Sequence, residues 1–248
     1  MPSFSHNDID IAYLDEGEGE PILLIHGFAS NKEVNWVRPG WVDVLVKDGR
    51  RVIALDNRGH GESSKLYEPS DYHTDLMAGD VRALLDHLRI ESADVMGYSM
   101  GARITAFLAK AAPDRVRRAV LGGLGYHLID SVGLSPKIAE GLEAPSRADV
   151  TDPEAHVFRS FAEQTRSDLN ALAACIRGSR QRLSPEEIAG IAMPVLVAVG
   201  TRDRVAGPAA QLAEVFPDGA VLDIPDRDHM LAVGDKVYKQ GVLEFLRR

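Results

Sequence analysis

Short apolar runs alternate with amphipathic segments along most of this 248-residue chain. The six clearest runs are Pro21–His26, Arg51–Asp56, Ala93–Gly97, Ala119–Leu124, Val195–Gly200 and Ala220–Ile224. Their nearly continuous hydrophobicity is typical of strands that are covered on both faces. Strands that alternate with helices in this way predict an α/β fold with a mostly parallel sheet.

The segments on either side of these runs fit the same architecture. Phe4–His6 and Ile9–Leu14, joined around Asn7 and Asp8, are predicted to form an antiparallel hairpin at the edge of the sheet. Apolar residues at helical spacing predict a helix with one buried face between the second and third runs. These residues are Val81, Leu84, Leu85 and Leu88.

The strand pattern stops between residues 125 and 190, where helix-start signals replace it. Ser135-Pro136, Asp152-Pro153-Glu154 and Ser184-Pro185-Glu186-Glu187 each combine a capping residue with a proline suited to the first helical turn. We therefore predict one α/β domain over residues 1–248, with residues 125–190 forming a helical cap insertion within it.

Charge and cysteine content narrow the function classes. Twenty-eight Lys and Arg side chains against 37 Asp and Glu give a net charge of −9, the wrong sign for binding nucleic acid or an anionic membrane surface. Arg115, Arg117 and Arg118 form the one basic cluster, interpreted as a solvated edge between a helix and a strand. Cys175 is the only cysteine, so neither an intramolecular disulfide nor a thiolate metal cluster is expected.

Targeting signals are also absent from the sequence. The first 20 residues lack a basic segment followed by an apolar one, and no apolar run reaches the roughly 18 residues that a membrane-spanning helix needs. We therefore expect a cytoplasmic protein that has neither a membrane nor a nucleic acid as its partner.

The sharpest chemical signal is Gly97-Tyr98-Ser99-Met100-Gly101, which follows a predicted strand and precedes a predicted helix. A G-x-S-x-G sequence in this context is a nucleophile elbow, a tight turn whose small flanking residues let the backbone pass. The turn places the serine hydroxyl beside the N-terminus of the helix, where unpaired backbone N–H groups stabilise negative charge. We predict that Ser99 is a nucleophile.

A serine nucleophile needs a base, and the base needs an orienting acid. Asp203 follows the strand-like run Val195–Gly200, and His229 follows the last run. Both positions lie where open α/β sheets gather their sites. We predict His229 as the base and Asp203 as the acid, and the other acidic residues close to predicted strand ends stay open as alternatives. These alternatives are Asp223, Asp226, Asp228 and, more remotely, Asp130.

An oxyanion formed during the reaction needs two backbone donors. The first is predicted to be the N–H of Met100, directly after the nucleophile. The second is predicted to be the N–H of Phe28, in the loop after the first apolar run, where Gly27 permits a tight turn. His26 is interpreted as a structural histidine that ties loops together.

These motifs together resemble the α/β-hydrolase superfamily, and specifically its small esterase, lactonase and non-haem haloperoxidase-like branch. The resemblance covers the whole chain except the helical insertion, and it includes Asp56–Ser63, which is similar to the D-x-R-G-x-G-x-S loop of the family. Two departures are Asp228, where a glycine often precedes the base, and the loosely typical stretch 204–208.

The resemblance implies an eight-stranded, mostly parallel sheet with a cap inserted after the sixth strand, and no metal, haem or flavin cofactor. It carries the nucleophile, acid and base over to Ser99, Asp203 and His229, and the oxyanion donors to Phe28 and Met100. A serine in the elbow argues against haloalkane dehalogenase and epoxide hydrolase chemistry, which use an aspartate there.

The expected reaction is hydrolysis of small, largely apolar carboxylic esters or lactones through an acyl-enzyme. C–C bond hydrolysis, perhydrolysis, acyl transfer and a low-turnover ligand receptor stay open, and the chain is expected to be a monomer or a homodimer. Apolar residues of the insertion are the candidates for the pocket wall. They are Tyr126, Leu128, Ile129, Leu134, Phe158, Phe161 and Leu169. Trp36 and Trp41 are predicted to pack in the core, and His127 is a minor candidate for substrate contact.

Overall fold

The computed structural model describes residues 2–130 and 135–248, and within them eight strands form one sheet in the order β1-β2-β4-β3-β5-β6-β7-β8. The first two strands pair with their neighbours in antiparallel fashion, and the other pairs are parallel. The strands are β1 (Ser3–His6), β2 (Ile9–Glu16), β3 (Glu20–Ile25), β4 (Arg50–Leu55), β5 (Ala93–Tyr98), β6 (Val116–Gly122), β7 (Val195–Gly200) and β8 (Gly219–Ile224). The predicted fold class is confirmed.

Helices and short helical turns connect these strands. The α-helices are α1 (Trp41–Lys47), α2 (Thr74–His87), α3 (Met100–Ala111), α4 (His127–Asp130), α5 (Lys137–Glu143), α6 (Pro153–Gln164), α7 (Leu169–Gly178), α8 (Pro185–Ala189), α9 (Ala209–Ala213) and α10 (Lys236–Leu246). A π-helical turn covers Glu33–Val37, and 3-10 turns cover Pro69–Tyr72, Pro113–Arg115, Arg147–Asp149 and Ala232–Gly234. Among the described helices, none has the length and apolar character required to cross a membrane.

The N-terminal hairpin follows from its two turn residues. Asn7 and Asp8 both have positive φ, at 50° and 60°, the conformation that a two-residue hairpin turn needs and that these residue types tolerate. The turn sets the register in which Phe4 faces Ile11, and both side chains are buried.

The core lies on both faces of the sheet because successive side chains of a strand point to opposite faces. In β3, Leu23 and Ile25 belong to one apolar cluster, and Ile22 and Leu24 belong to the other. Trp36 and Trp41 are fully buried in the second cluster with their rings edge to face at 6.2 Å, so the structure places both in the core.

The sequence-based interpretation of Arg117 and Arg118 as a solvated edge is wrong in part. Strand β6 begins at Val116, earlier than predicted, and both arginines are half-buried within it. Both lie at 3.4–3.5 Å from the carboxylate of Asp94, which is buried and also binds Arg50 at 2.6 Å. A buried carboxylate needs cationic partners. Arg117 and Arg118 supply them from within β6, although charged residues are more typical of a solvated edge.

Helices α4–α8 lie between β6 and β7, and the described part of this stretch contains no strand. Asp152 caps α6 by accepting from the Ala155 N–H, and Ser184 forms a capping box at α8, as the helix-start signals indicate. The insertion touches the sheet domain where Phe158 packs 5.8 Å from the ring of Phe28. Leu134, one of the candidate wall residues, lies outside the described residues.

Candidate active site

Ser99 lies in a strained turn between β5 and α3. Its φ of 55° and ψ of −113° are rare for a residue with a side chain, and such strain is characteristic of functional sites. The turn depends on its flanking glycines. A Cβ added to Gly97 would lie 2.1 Å from the Gly101 carbonyl oxygen, and one added to Gly101 would lie 2.0 Å from the Ile25 carbonyl oxygen.

The structure brings Ser99, His229 and Asp203 together in one chain of hydrogen bonds. Nε2 of His229 lies 2.9 Å from Oγ of Ser99, and Nδ1 of His229 lies 2.7 Å from Oδ2 of Asp203. The Asp203 carboxylate is fully buried, and its other oxygen accepts from the N–H groups of Val205 and Ala206 at 2.8 and 3.1 Å. The carboxylate is therefore fixed by the backbone on one side and orients the imidazole on the other.

Two of the alternative acids, Asp228 and Asp226, have other hydrogen-bond or ion-pair partners. Asp228 accepts from the N–H groups of Met230 and Leu231, so it shapes the turn that carries the base. Asp226 is exposed and pairs with Arg202 at 2.7 Å. Asp223 is exposed on the last strand, and Asp130 lies at the end of α4.

Tyr98 contacts His229 through both its hydroxyl group and its ring. Its hydroxyl donates to the carbonyl oxygen of His229 at 2.7 Å, and the two rings lie 5.5 Å apart. Burial raises the pKa of the Tyr98 hydroxyl well above its usual value, and the nearby Asp203 carboxylate adds to this effect. Tyr98 is therefore a neutral, permanent hydrogen-bond donor.

The backbone N–H groups of Phe28 and Met100 flank the nucleophile. Neither of them donates a hydrogen bond to another described residue. The loop of Phe28 abuts Ser99, since a Cβ added to Gly27 would lie 3.3 Å from the Cβ of Ser99. Oδ1 of Asn35 accepts from the Gly27 N–H at 3.2 Å and holds this loop. Both N–H groups therefore stay candidates for the donors to an oxyanion at Ser99.

His26 and His60 pack against each other beside the loop that contains Phe28. Nε2 of His26 accepts from the Asn57 N–H at 3.0 Å, and its ring packs 5.2 Å from that of His60. The ring of His60 in turn packs edge-on against Phe28 at 6.0 Å. Burial lowers the pKa of His60 to about 3, and the nearby His26 adds to the effect, so His60 is neutral.

The nucleophile lies between two cavities. The first has a volume of about 60 Å³ and is lined by Phe28, Ser99, Met100, Arg103, Gly123, Leu124, His127, Ile176, Ser179, Arg180 and Val205. The second has a volume of about 160 Å³ and is lined by Gly27, Phe28, Ser30, Val34, Asn35, Tyr98, Ser99, Phe161, His229, Met230 and Val233. We call them the arginine cavity and the apolar cavity.

The sequence predicted several of the residues that line these cavities, among them Ser99, Phe28, Met100 and His229. Phe161 lines the apolar cavity and His127 lines the arginine cavity, and both were candidates. Arg103 and Arg180 were not, because each belongs to an ordinary amphipathic or polar stretch. Asn35 was also missed, and within the described residues its buried Nδ2 has no hydrogen-bond partner.

The described residues contain no group of three or more His, Cys, Asp or Glu side chains arranged to hold a metal ion.

Comparison with known proteins defines the class. A family model described as "alpha/beta hydrolase fold" matches residues 20–155, more than half of the chain. The chain belongs to the α/β-hydrolase family, and the predicted family resemblance is confirmed.

Individual relatives carry different names. The chain is 32% identical over 253 residues to the "Dihydrolipoyllysine-residue acetyltransferase component of acetoin cleaving system" of Pseudomonas putida, covering 93% of this chain and 64% of that protein. It is 28% identical to the "Non-heme chloroperoxidase" of Streptomyces lividans, with 96% of each chain covered. The chain spans less than two thirds of the length of the first relatives it matches.

Among solved structures, the enol-lactonase from Burkholderia xenovorans LB400 superposes over 100% of both chains with a TM-score of 0.79 and 24% identity. At this level of identity the likeness supports the shared fold alone.

Proposed function

We propose that this protein is a serine hydrolase that cleaves small carboxylic esters or lactones through an acyl-enzyme. The observation that carries the proposal is the continuous hydrogen-bond chain from Ser99 through His229 to Asp203, at 2.9 and 2.7 Å. Nucleophile, base and orienting acid at these distances form the arrangement that activates a serine hydroxyl.

In the first step, His229 Nε2 takes the proton of Ser99 as Oγ attacks the carbonyl carbon of the substrate. Negative charge then develops on the carbonyl oxygen, which accepts from the N–H groups of Phe28 and Met100. The imidazolium of His229, held by Asp203, returns the proton to the leaving oxygen, and the acyl C–O bond breaks. Water then repeats the sequence on the acyl-enzyme, which releases the acid and restores Ser99.

The position of the base orients the substrate. His229 must lie beside the leaving oxygen to protonate it, and His229 lines the apolar cavity but not the arginine cavity. The alcohol portion therefore occupies the apolar cavity, beside Phe161 and Met230. The acyl portion extends into the arginine cavity, past Met100.

A benzyl ester series with acyl chains of two to eight carbons tests this proposal, with benzyl alcohol release measured by chromatography. We expect turnover by the wild-type protein, a decline beyond short acyl chains, and loss of at least about 10⁴-fold in Ser99→Ala. Ser5→Ala, an exposed serine in β1, is the matched control and should retain full activity. Turnover of these esters by Ser99→Ala would refute the assignment of the nucleophile.

Acyl transfer is the second candidate, because the similar protein from Pseudomonas putida is named as an acetyltransferase component. Hydrolysis and transfer share the acyl-enzyme and differ only in what attacks it. Adding a thiol acceptor to the same assay distinguishes them, since a transferase would form the thioester in preference to the free acid.

A further inference from the structure

The arginine cavity contains two cations beside the nucleophile, an unusual lining for a site that cleaves neutral esters. Arg103 and Arg180 both line it together with Ser99, and both are half-buried. The remaining walls include apolar side chains, among them Phe28, Leu124 and Ile176. A charge with little water around it interacts strongly with an opposite charge that enters the same space.

Arg103 is held on the same face of α3 as the nucleophile. It follows Ser99 by four residues, one helical turn, and its backbone N–H donates to the Ser99 carbonyl oxygen at 3.2 Å. Its guanidinium donates to the carbonyl oxygens of His127, at 2.9 Å, and Gln181. Because both partners are neutral carbonyl groups, these two hydrogen bonds fix the guanidinium without neutralising its charge.

Arg180 brings a second positive charge close to the first. Burial lowers the pKa of Arg103 to about 10, and the Arg180 charge lowers it further, while Asp130 acts in the opposite direction. Burial also lowers the pKa of Arg180, against the effect of Glu154. The Arg180 charge thus disfavours the charged form of Arg103, and an anion bound between the two guanidinium groups would stabilise both.

We propose that the arginine cavity binds an anionic group on the acyl portion of the substrate, so that the preferred substrates are half-esters or lactones of dicarboxylic acids. This inference rests on the proposed function, because the position of His229 assigns the acyl portion to this cavity. Hydrolysis breaks the acyl C–O bond and adds one water, so a half-ester gives an alcohol and a dicarboxylate, and a lactone gives a single dicarboxylate that carries the hydroxyl. The inference replaces the largely apolar acyl group expected from the sequence.

A matched pair of esters tests the inference. Monobenzyl succinate and benzyl butyrate share the alcohol and the acyl chain length, and differ in having a carboxylate or a methyl group at the end. We expect kcat/KM of the wild-type protein to be at least about tenfold higher for monobenzyl succinate, the size of one charge-assisted hydrogen bond. The preference should weaken as salt is raised from 0.05 to 0.5 M, since salt screens charges that remain partly exposed.

Variants of the two arginines assign the preference to this cavity. Arg180→Gln should lower the ratio of the two kcat/KM values by about tenfold or more, and Arg103→Lys should lower it through loss of the forked geometry. Arg177→Gln is the matched control, because Arg177 is exposed, pairs with Glu143 and lies outside the cavity. It should leave both kcat/KM values unchanged.

The outcomes separate the two proposals. A wild-type ratio at or below one, or a ratio that neither Arg180→Gln nor Arg103→Lys changes, would overturn the anionic-substrate inference and leave the esterase proposal standing. Turnover of both esters by Ser99→Ala would instead overturn the proposed function. Because the ratio is measured within each variant, a partial loss of folded protein does not affect it.

Discussion

Replacing Asp203 with Asn tests the orienting role of the acid, because the geometry determines how the amide must lie. The oxygen that accepts from Val205 and Ala206 at 2.8 and 3.1 Å must remain an acceptor, so the amide oxygen occupies this position. The amide NH₂ then faces Nδ1 of His229 across 2.7 Å. Two donors cannot share that distance, so His229 adopts the tautomer with its proton on Nε2.

In this tautomer Nε2 can no longer accept the proton of Ser99. A wrong tautomer in an otherwise intact triad lowers kcat by about 10⁴-fold. This loss corresponds to about 5.4 kcal/mol of transition-state stabilisation at 1.36 kcal/mol per tenfold change. Burst kinetics with an activated ester measure the acylation rate directly and show whether this step is the one that slows.

Asp226→Asn is the matched control for the loss of a carboxylate. Asp226 is exposed, pairs with Arg202 and has a φ of 57°, which Asn tolerates well, so its activity should equal that of the wild type. A thermal unfolding curve shows that each variant is folded. If Asp203→Asn is folded and its acylation rate stays within tenfold of the wild-type rate, the acid has been assigned to the wrong residue.

Three further predictions concern groups around the site. The pKa of His60 is about 3 in the folded protein and near 6.5 in the unfolded chain, so the unfolded chain binds more protons between these pH values and the free energy of unfolding falls as the pH is lowered. Urea unfolding should show that this group loses about 2 kcal/mol of stability between pH 7 and pH 5. The loss should be smaller in His60→Asn. Asn35→Leu removes the acceptor of the Gly27 N–H and should lower kcat about tenfold or more. Asn35→Asp keeps that acceptor and should retain more activity than the Leu variant. Equal kcat values for the two variants would exclude a positioning role for Asn35. Burial raises the pKa of Cys175 to about 12, so a thiol reagent should label it only after unfolding, and rapid labelling of the native protein would contradict its burial.

The fold was predictable because its signals are local. Each parallel strand contains an apolar run, and the turn consists of Asn7 and Asp8, two residue types that tolerate positive φ. Strand boundaries were less accurate where a distant partner decides them. Arg117 and Arg118 extend β6 because they reach the buried Asp94 on β5, and nothing in their immediate sequence indicates that carboxylate.

The candidate site likewise contains residues that have a local signal in the sequence and residues that have none. Ser99 was predicted from its flanking glycines, and Asp203 and His229 from their places after strands, because parallel strands end at one edge of the sheet. Asn35 had no such signal, since it lies in a short helical turn, and its value comes from contact with Gly27. Long-range contacts of this kind are set by the packing of the whole domain.

Reaction type and substrate preference therefore have different origins in this chain. The residues proposed to transfer protons, Ser99, Asp203 and His229, lie in the loops that follow strands β5, β7 and β8. Arg103 and Arg180 line the cavity beside Ser99 from α3 and from the segment after α7, and neither side chain belongs to the hydrogen-bond chain of Ser99, His229 and Asp203. We expect substitution there to change which acyl group is bound and to leave the Ser99–His229–Asp203 hydrogen-bond chain in place. The relatives of this chain bear names as different as chloroperoxidase and acetyltransferase component, so we infer its substrate from the walls of its own cavities.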